Sequence, residues 1–242
     1  IRSMISILKN KNCLLTGATG GIGRELAKQL SKENSNLFLT STSSKKLIKL
    51  KNELETSTSS SIFYKSANFS NSKDLVNLVK EIRKTMKNVD ILINCAGIFK
   101  IKSISKSTVE DYDSMFNVNV KMPFILSKEF SKDMIKKKWG RIINIGSSSS
   151  YSGFENGSLY CSSKHAVLGL SRSLQSELKQ KNVRVLCISP GSTQTNMGKI
   201  SKDQDFNTFL SPEEVARYII FSLSFDKEMV IDESRLNRMT IK

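Results

Sequence analysis

The sequence is poor in residues on which several common chemistries depend. It has one histidine, His165, so no scheme needing two imidazoles is open to it and a Ser-His-Asp hydrolase is not expected. Its four cysteines, Cys13, Cys95, Cys161 and Cys187, are scattered, with no C-x-x-C pair. That spacing argues against zinc, so no metal is expected, and it reads as reduced thiols of a cytoplasmic protein. No apolar run reaches the roughly 18 residues that a membrane helix needs. The opening "IRSMISILKNKNCLL" is too short and too mixed for a secretory signal. The first residue is not Met, so Ile1–Ser3 read as a remnant of cloning or of processing.

Acid is also scarce. Asp and Glu total 22 against 38 Lys and Arg, a formal net charge of +16. Such a balance suits an acidic partner: nucleic acid, an anionic membrane surface or an acidic carrier protein. It equally suits a Lys-rich solvated surface, because the lysines are dispersed and the densest cluster is only Lys136–Lys138.

What is present points to one fold. At 242 residues, 38% hydrophobic and 25% charged, the chain fits one large α/β domain or two small ones and can bury a sizeable core. Short apolar runs read as buried strands at 12–17, 36–42, 89–97, 140–147 and 183–191. Between them lie helical patterns. Leu26 and Leu30 share a face in 23–33, and Leu75, Val79, Ile82 and Met86 recur at helical steps in 72–87. Ser107 and Glu110 have the spacing of a capping box opening a long helix to about Lys137. Leu170, Leu174 and Leu178 are in phase in a helix from Tyr160 to about Lys179. Ser211 followed by Pro212 and Glu214 starts another at 211–223. No repeat and no Pro/Gly-rich linker interrupts the alternation, which predicts one doubly wound parallel sheet.

Ligands of such sheets sit at the carboxyl ends of the strands, and three motifs fall there. "TGATGGIG" (16–23) follows a strand and opens a helix, where glycines let backbone N–H groups and the helix dipole face an anion. Alone, it is a weak signal, with a plain βα turn as the alternative. "NCAG" (94–97) ends a strand: Asn94 can bridge strands, and Ala96 and Gly97 leave room for a flat ligand. The third is Ser147 with Tyr160 and Lys164. The last two are four residues apart and share a helix face. A phenol with a pKa of about 10 exchanges protons slowly at neutral pH, and a nearby cation would lower that pKa. Alone, a Tyr-x-x-x-Lys pair is mostly surface decoration. His165 points about 100° away around the helix and reads as a packing or interface residue. Trp139 reads as a local packing anchor.

Together these motifs resemble the short-chain dehydrogenase/reductase family over about residues 10–197, with Asn119 in "NVNV" and Pro190–Gly191 in "PG" completing the set. The resemblance implies a single NAD(P)-binding Rossmann-type domain over 1–242, with a short substrate lid near 195–212. It implies reversible hydride transfer between a nicotinamide and a carbonyl carbon. Tyr160 would be the general acid/base and Lys164 its tuner and ribose ligand. Ser147 would polarise the carbonyl, and Asn119 would support a water chain from Lys164. Cofactor contacts carried over are Gly17, Thr19, Gly21, Ile22, Gly23, Ser41, Thr42, Asn68, Asn94, Ala96, Gly97, Tyr160, Lys164, Pro190 and Gly191, with Thr193 and Thr195 at the carboxamide. Ser41 falls where NAD-selecting members carry an acid, and Lys45 and Lys46 are close by, which favours NADP. Many NADP-using members carry a basic residue where this chain has Gly20, so NAD(H) stays open.

The pattern is most similar to bacterial 3-oxoacyl-[acyl-carrier-protein] reductases of fatty-acid synthesis. An acidic acyl carrier protein is then an expected partner, with Lys138 and Lys181 at the positions that dock it near the active-site mouth. A homodimer or homotetramer through helices at about 108–137 and 160–180 is implied too. The tail "MVIDESRLNRMTIK" lacks the subfamily's Gly-rich ending, so another small carbonyl, a sugar or a coenzyme-A thioester, stays open as substrate. The intact catalytic set argues against a non-catalytic nucleic-acid-binding protein on this scaffold. Neither nucleic acid nor membrane is an expected partner.

Overall fold

A computed structural model describes residues 5–201 and 203–240, so Ile1–Ser3 lie outside the described residues. Seven parallel strands form one sheet in the order β3-β2-β1-β4-β5-β6-β7. The strands are β1 (Asn12–Thr16), β2 (Asn36–Ser41), β3 (Ile62–Ser66), β4 (Ile91–Asn94), β5 (Gly140–Ile145), β6 (Val183–Pro190) and β7 (Glu233–Leu236). The order reverses between β1 and β4, which opens a crevice at their carboxyl ends.

The inner strands β1, β2, β4, β5 and β6 are buried almost throughout because both faces are covered. Leu15, Ile93, Ile143 and Ile188 point to one side, joining α1 (Gly21–Lys32), α2 (Ser44–Glu55) and α7 (Pro212–Leu223) through Leu26, Leu47 and Ile219. Leu14, Leu92, Ile142 and Val185 point to the other, joining α3 (Ser72–Met86), α5 (Met122–Lys137) and α6 (Ser158–Leu178) through Leu78, Phe130 and Leu178. The period-2 alternation of strand side chains feeds two cores from one strand.

Three expectations shift in detail. The helix cap is Thr108 with Asp111, one residue beyond the Ser107–Glu110 pair. The Ser107 hydroxyl is already used, donating to the Ser103 carbonyl. The helix it opens, α4 (Val109–Phe116), does not run regularly to Lys137 but passes through a π-helical turn, Asn117–Lys121, before α5. In α6, Leu170 and Leu174 are only half-buried, and the inward face is instead Tyr160, Lys164, Val167, Leu168, Ser171 and Leu178. Polar residues on that face made it hard to see by hydrophobicity.

Trp139 is the packing anchor expected. Its ring lies between the Lys11 ammonium and the Arg141 guanidinium, 4.0 and 4.5 Å from its centroid, and its indole N–H donates to Asp226 at 3.0 Å.

Candidate active site

The first βα turn is built around close backbone contacts. Gly17 has φ +67°, a conformation that favours glycine. A Cβ on Gly23 would sit 2.1 Å from the Gly17 carbonyl oxygen, so only glycine lets α1 start this close to β1. Thr16, fully buried, accepts from the backbone N–H groups of Cys95 and Ala96, each at 3.1 Å, and so holds the loop after β4 beside the turn. The sequence reading passed over this role, although Thr16 begins the glycine motif.

A cleft of about 890 Å³ runs along the carboxyl edge of the sheet from this turn. It is lined by Gly17, Thr19, Gly21, Ile22 and Gly23, by Ser41, Thr42 and Asn68, and by Ala96 and Gly97. Farther along it are Ser147, Tyr160 and Lys164, then Pro190, Gly191, Thr193 and Thr195. Two expected site residues do not line it. Asn94, 2% exposed, lies behind the wall and donates to Asn144 Oδ1 at 2.8 Å, the strand bridge its position suggested. Asn144 in turn donates to Ser171 Oγ at 2.9 Å, which ties β4 and β5 to α6.

Asn119 is the second. It sits in the π-helical turn, 2% exposed, and its amide grips one backbone residue from both sides. Nδ2 donates to the Ile98 carbonyl at 3.0 Å, and Oδ1 accepts from the Ile98 N–H at 2.9 Å. Nδ2 also donates to Ser163 Oγ at 3.0 Å, linking the loop after β4 to α6.

Ser147, Tyr160 and Lys164 meet at the floor of the cleft. Ser147 caps a 3-10 turn, Ser148–Ser150, its Oγ accepting from the Ser149 N–H at 3.1 Å while its hydroxyl proton stays free to donate. Tyr160 is 8% exposed, and Phe99 packs against its ring edge-on with centroids 4.6 Å apart. Burial raises the phenol pKa, and the Ser147 hydroxyl partly opposes the rise. Burial is the larger of the two effects. Lys164 Nζ stands 5.8 Å from the Tyr160 ring centroid and donates to the Ile145 carbonyl at 2.8 Å. Its own pKa falls to about 8 because burial penalises the ammonium.

The outer cleft is walled by residues that the sequence reading did not single out: Phe99, Ile101, Phe154, Met197 and Gln204. Phe99 follows "NCAG" almost directly, which was the available signal. His165 is exposed and its Nδ1 lies 2.8 Å from the Cys161 carbonyl, away from the cleft. Lys138 and Lys181 are not at the mouth of this cleft. They precede β5 and β6 at the amino edge of the sheet, about 20 Å from the carboxyl edge by the length of a six-residue strand. Among the described residues no cluster of His, Cys, Asp and Glu could hold a metal, all four cysteines are free, and no helix is long and apolar enough to cross a membrane.

Comparisons with known proteins point to one family and one fold. The family model described as short chain dehydrogenase matches residues 11–205. A 3-oxoacyl-[acyl-carrier-protein] reductase of Rickettsia bellii is 33% identical over 226 residues, covering 90% of each protein. Its counterpart from Aquifex aeolicus is 29% identical over 90% of this chain and 91% of its own length. Among solved structures, a metagenomic short-chain oxidoreductase in complex with NADP superposes with a TM-score of 0.82 at 26% identity, covering 95% of this chain and 98% of that one. An alcohol dehydrogenase from the archaeon Thermococcus sibiricus, complexed with 5-hydroxy-NADP, gives 0.84 at 25% identity, covering 94% and 96%.

Proposed function

The chain belongs to the short-chain dehydrogenase family, and on that premise we propose that it is an NADPH-dependent reductase of 3-oxoacyl thioesters, with acyl-carrier-linked chains as the preferred form. The observation that carries the reading is the convergence of Ser147, Tyr160 and Lys164 on one cleft that also contains the glycine turn.

The residues fit a dinucleotide. The turn between β1 and α1 leaves a Cβ-free cradle at a helix start, suited to a pyrophosphate. Ser41 and Thr42 at the end of β2 offer hydroxyls and no carboxylate, so nothing there repels a 2′-phosphate. The NADP-bound relatives support the same choice. Bound there, the nicotinamide would supply the hydride. The chain supplies the proton and the geometry. Tyr160, kept protonated by burial, donates its phenolic proton to the carbonyl oxygen as negative charge develops there. Ser147 donates a hydrogen bond to the same oxygen. Lys164 offers its ammonium to the phenolate left behind and to the ribose hydroxyls. Asn119 acts through Ile98, fixing the loop that forms the wall beside Tyr160.

Phe99, Ile101, Phe154 and Met197 give the outer wall an apolar strip that suits an acyl chain, beside the polar Ser152, Glu155, Asn156 and Gln204. The 3-oxoacyl reductase relatives support the same class. Because Lys138 and Lys181 stand at the edge opposite their own cleft, they can serve carrier docking only across a subunit boundary. That requires a homo-oligomer, for which exposed Tyr112 and Phe124 on α4 and α5 provide apolar surface.

The test is oxidation of NADPH and of NADH with acetoacetyl-carrier protein and acetoacetyl-coenzyme A, side by side. Turnover with NADPH, faster on the carrier-linked form, is the expected result. NADPH binding without turnover of either thioester would overturn the substrate assignment and leave the cofactor assignment standing.

A further inference from the structure

The carboxyl-terminal tail, where the sequence departs from its nearest family pattern, folds back onto the segment that covers the substrate end of the cleft. The Gly191 N–H donates to the Leu236 carbonyl at 2.8 Å, which fixes where the tail leaves β7 beside the loop after β6. Two residues later Arg238, half-buried, reaches the cover at three points. Nη2 donates to Gln204 Oε1 at 2.8 Å, Nη1 donates to Thr208 Oγ1 at 3.0 Å, and the guanidinium lies 5.0 Å from the centroid of the buried Phe209 ring.

Gln204 is the node of this arrangement. It lines the cleft, and its Oε1 also accepts from Ser192 Oγ at 3.1 Å in the loop that follows β6. One oxygen therefore joins the tail, the cover and the loop. Thr193, nearer the glycine turn, is tied to Leu210 of the cover by backbone bonds in which Arg238 takes no part. Thr193 Oγ1 donates to the Gly191 carbonyl at 3.0 Å, and the Leu210 N–H donates to the Ser192 carbonyl at 2.9 Å. A planar guanidinium holds its donors in a fixed fork and stacks flat on a ring at once, a geometry that a compact ammonium does not reproduce.

We propose that Arg238 is a positioning residue for substrate: through Gln204 and Thr208 it sets the cover that carries Met197 and Gln204 over the outer cleft. Contacts from that wall touch the part of the substrate that does not react. They are made equally before and during the reaction, so losing them weakens substrate binding more than it slows the chemical step. The proposal rests on the reductase reading for its kinetic arm and on the structure alone for its second arm.

In the kinetic arm, Arg238→Ala is compared with the native protein using NADPH and acetoacetyl-coenzyme A. The expected result is a KM for the thioester raised about tenfold, with kcat and the NADPH Kd within about threefold, and Arg238→Lys in between. General damage to the fold would lower kcat and leave KM unchanged, and that pattern overturns the proposal. In the second arm, tryptic cleavage after Lys199 is timed, with about a tenfold faster cut expected in Arg238→Ala. Native rates of cleavage together with a native KM overturn the proposal. If the native protein does not turn over acetoacetyl-coenzyme A, the substrate reading has failed and the cleavage rates alone decide the role of Arg238. If Arg238→Ala does not fold, Thr208→Val takes its place, with shifts in the same direction and smaller.

Discussion

Lys164 Nζ donates to the backbone carbonyl of Ile145 at 2.8 Å, so the ammonium of α6 is anchored to the last residue of β5. That bond holds the charge at the floor of the cleft, one helical turn from Tyr160. It also keeps an ammonium in a buried place, and its pKa of about 8 records the cost.

A pH dependence follows from that cost. The ammonium pKa drops from 10.5 to about 8 on folding, so between about pH 8 and 10 this one site binds more protons in the unfolded chain than in the folded one. Stability contributed by this site therefore rises with pH across that window and is flat below it. Cys95, Cys187 and Tyr160 face the same region and titrate upward, so the comparison is made by difference. Urea unfolding at pH 7, 8, 9 and 10 should show the native protein gaining on Lys164→Met only above about pH 8. A constant gap between the two would contradict the buried ammonium.

Tyr160→Phe removes only the phenolic oxygen. On the proposed mechanism it lowers kcat by about 10³-fold or more, while NADPH affinity stays within about threefold, because the ring and its packing on Phe99 remain. Turnover in single-turnover assays and NADPH fluorescence titration read the two quantities separately. Activity near the native level would remove Tyr160 from the proton-donor role.

Asn119→Leu tests the clamp on Ile98. It leaves a backbone N–H and a carbonyl without their partner in a part-buried wall of the cleft, at a cost of about 1 kcal/mol measured by urea unfolding. Activity should fall further than stability explains, since the loop it fixes carries Phe99 against Tyr160. A variant as stable as the native protein would show that the clamp is dispensable.

Ser41→Asp places a carboxylate where the 2′-phosphate of NADP is proposed to lie. NADPH should bind about a hundredfold more weakly and NADH as well as before or better. Steady-state KM values for the two cofactors decide it, and an unchanged preference would move the phosphate site elsewhere.

Lys138→Glu with Lys181→Glu separates carrier docking from catalysis. The pair is far from its own cleft, so kcat/KM for acetoacetyl-coenzyme A should stay within about twofold, while use of the carrier-linked substrate falls about tenfold. Equal loss on both substrates would count against docking. Sedimentation of the native protein as a monomer would remove the subunit boundary on which that docking depends.

The sequence alone determined the alternating architecture, the glycine turn and the Tyr160–Lys164 pair, while the family resemblance supplied cleft residues such as Ser41, Thr42, Asn68, Thr193 and Thr195. What the residues gave directly follows from short-range physics: period-2 and period-3.6 apolar patterns, glycines at the first turn, and a Tyr-x-x-x-Lys pair on one helix face. Some of what the reading omitted was also legible. Leu47, Leu50 and Leu54 mark α2 at helical spacing. Other features were not legible. β7, "ESRL", carries no apolar pattern, since it is a partly exposed edge strand that exists by pairing with β6. The inward face of α6 is half polar, because Lys164 and Ser171 are satisfied by Ile145, Asn144 and Val167, and only folding brings those partners within reach. The same holds for three placements that spacing could not give. Asn119 ends on Ile98, Lys138 and Lys181 end at the edge away from the cleft, and Arg238 ends on Gln204 after a return through 34 residues of chain. Local pattern fixes which groups a chain owns, whereas hydrogen bonds between distant segments decide which of them face one another.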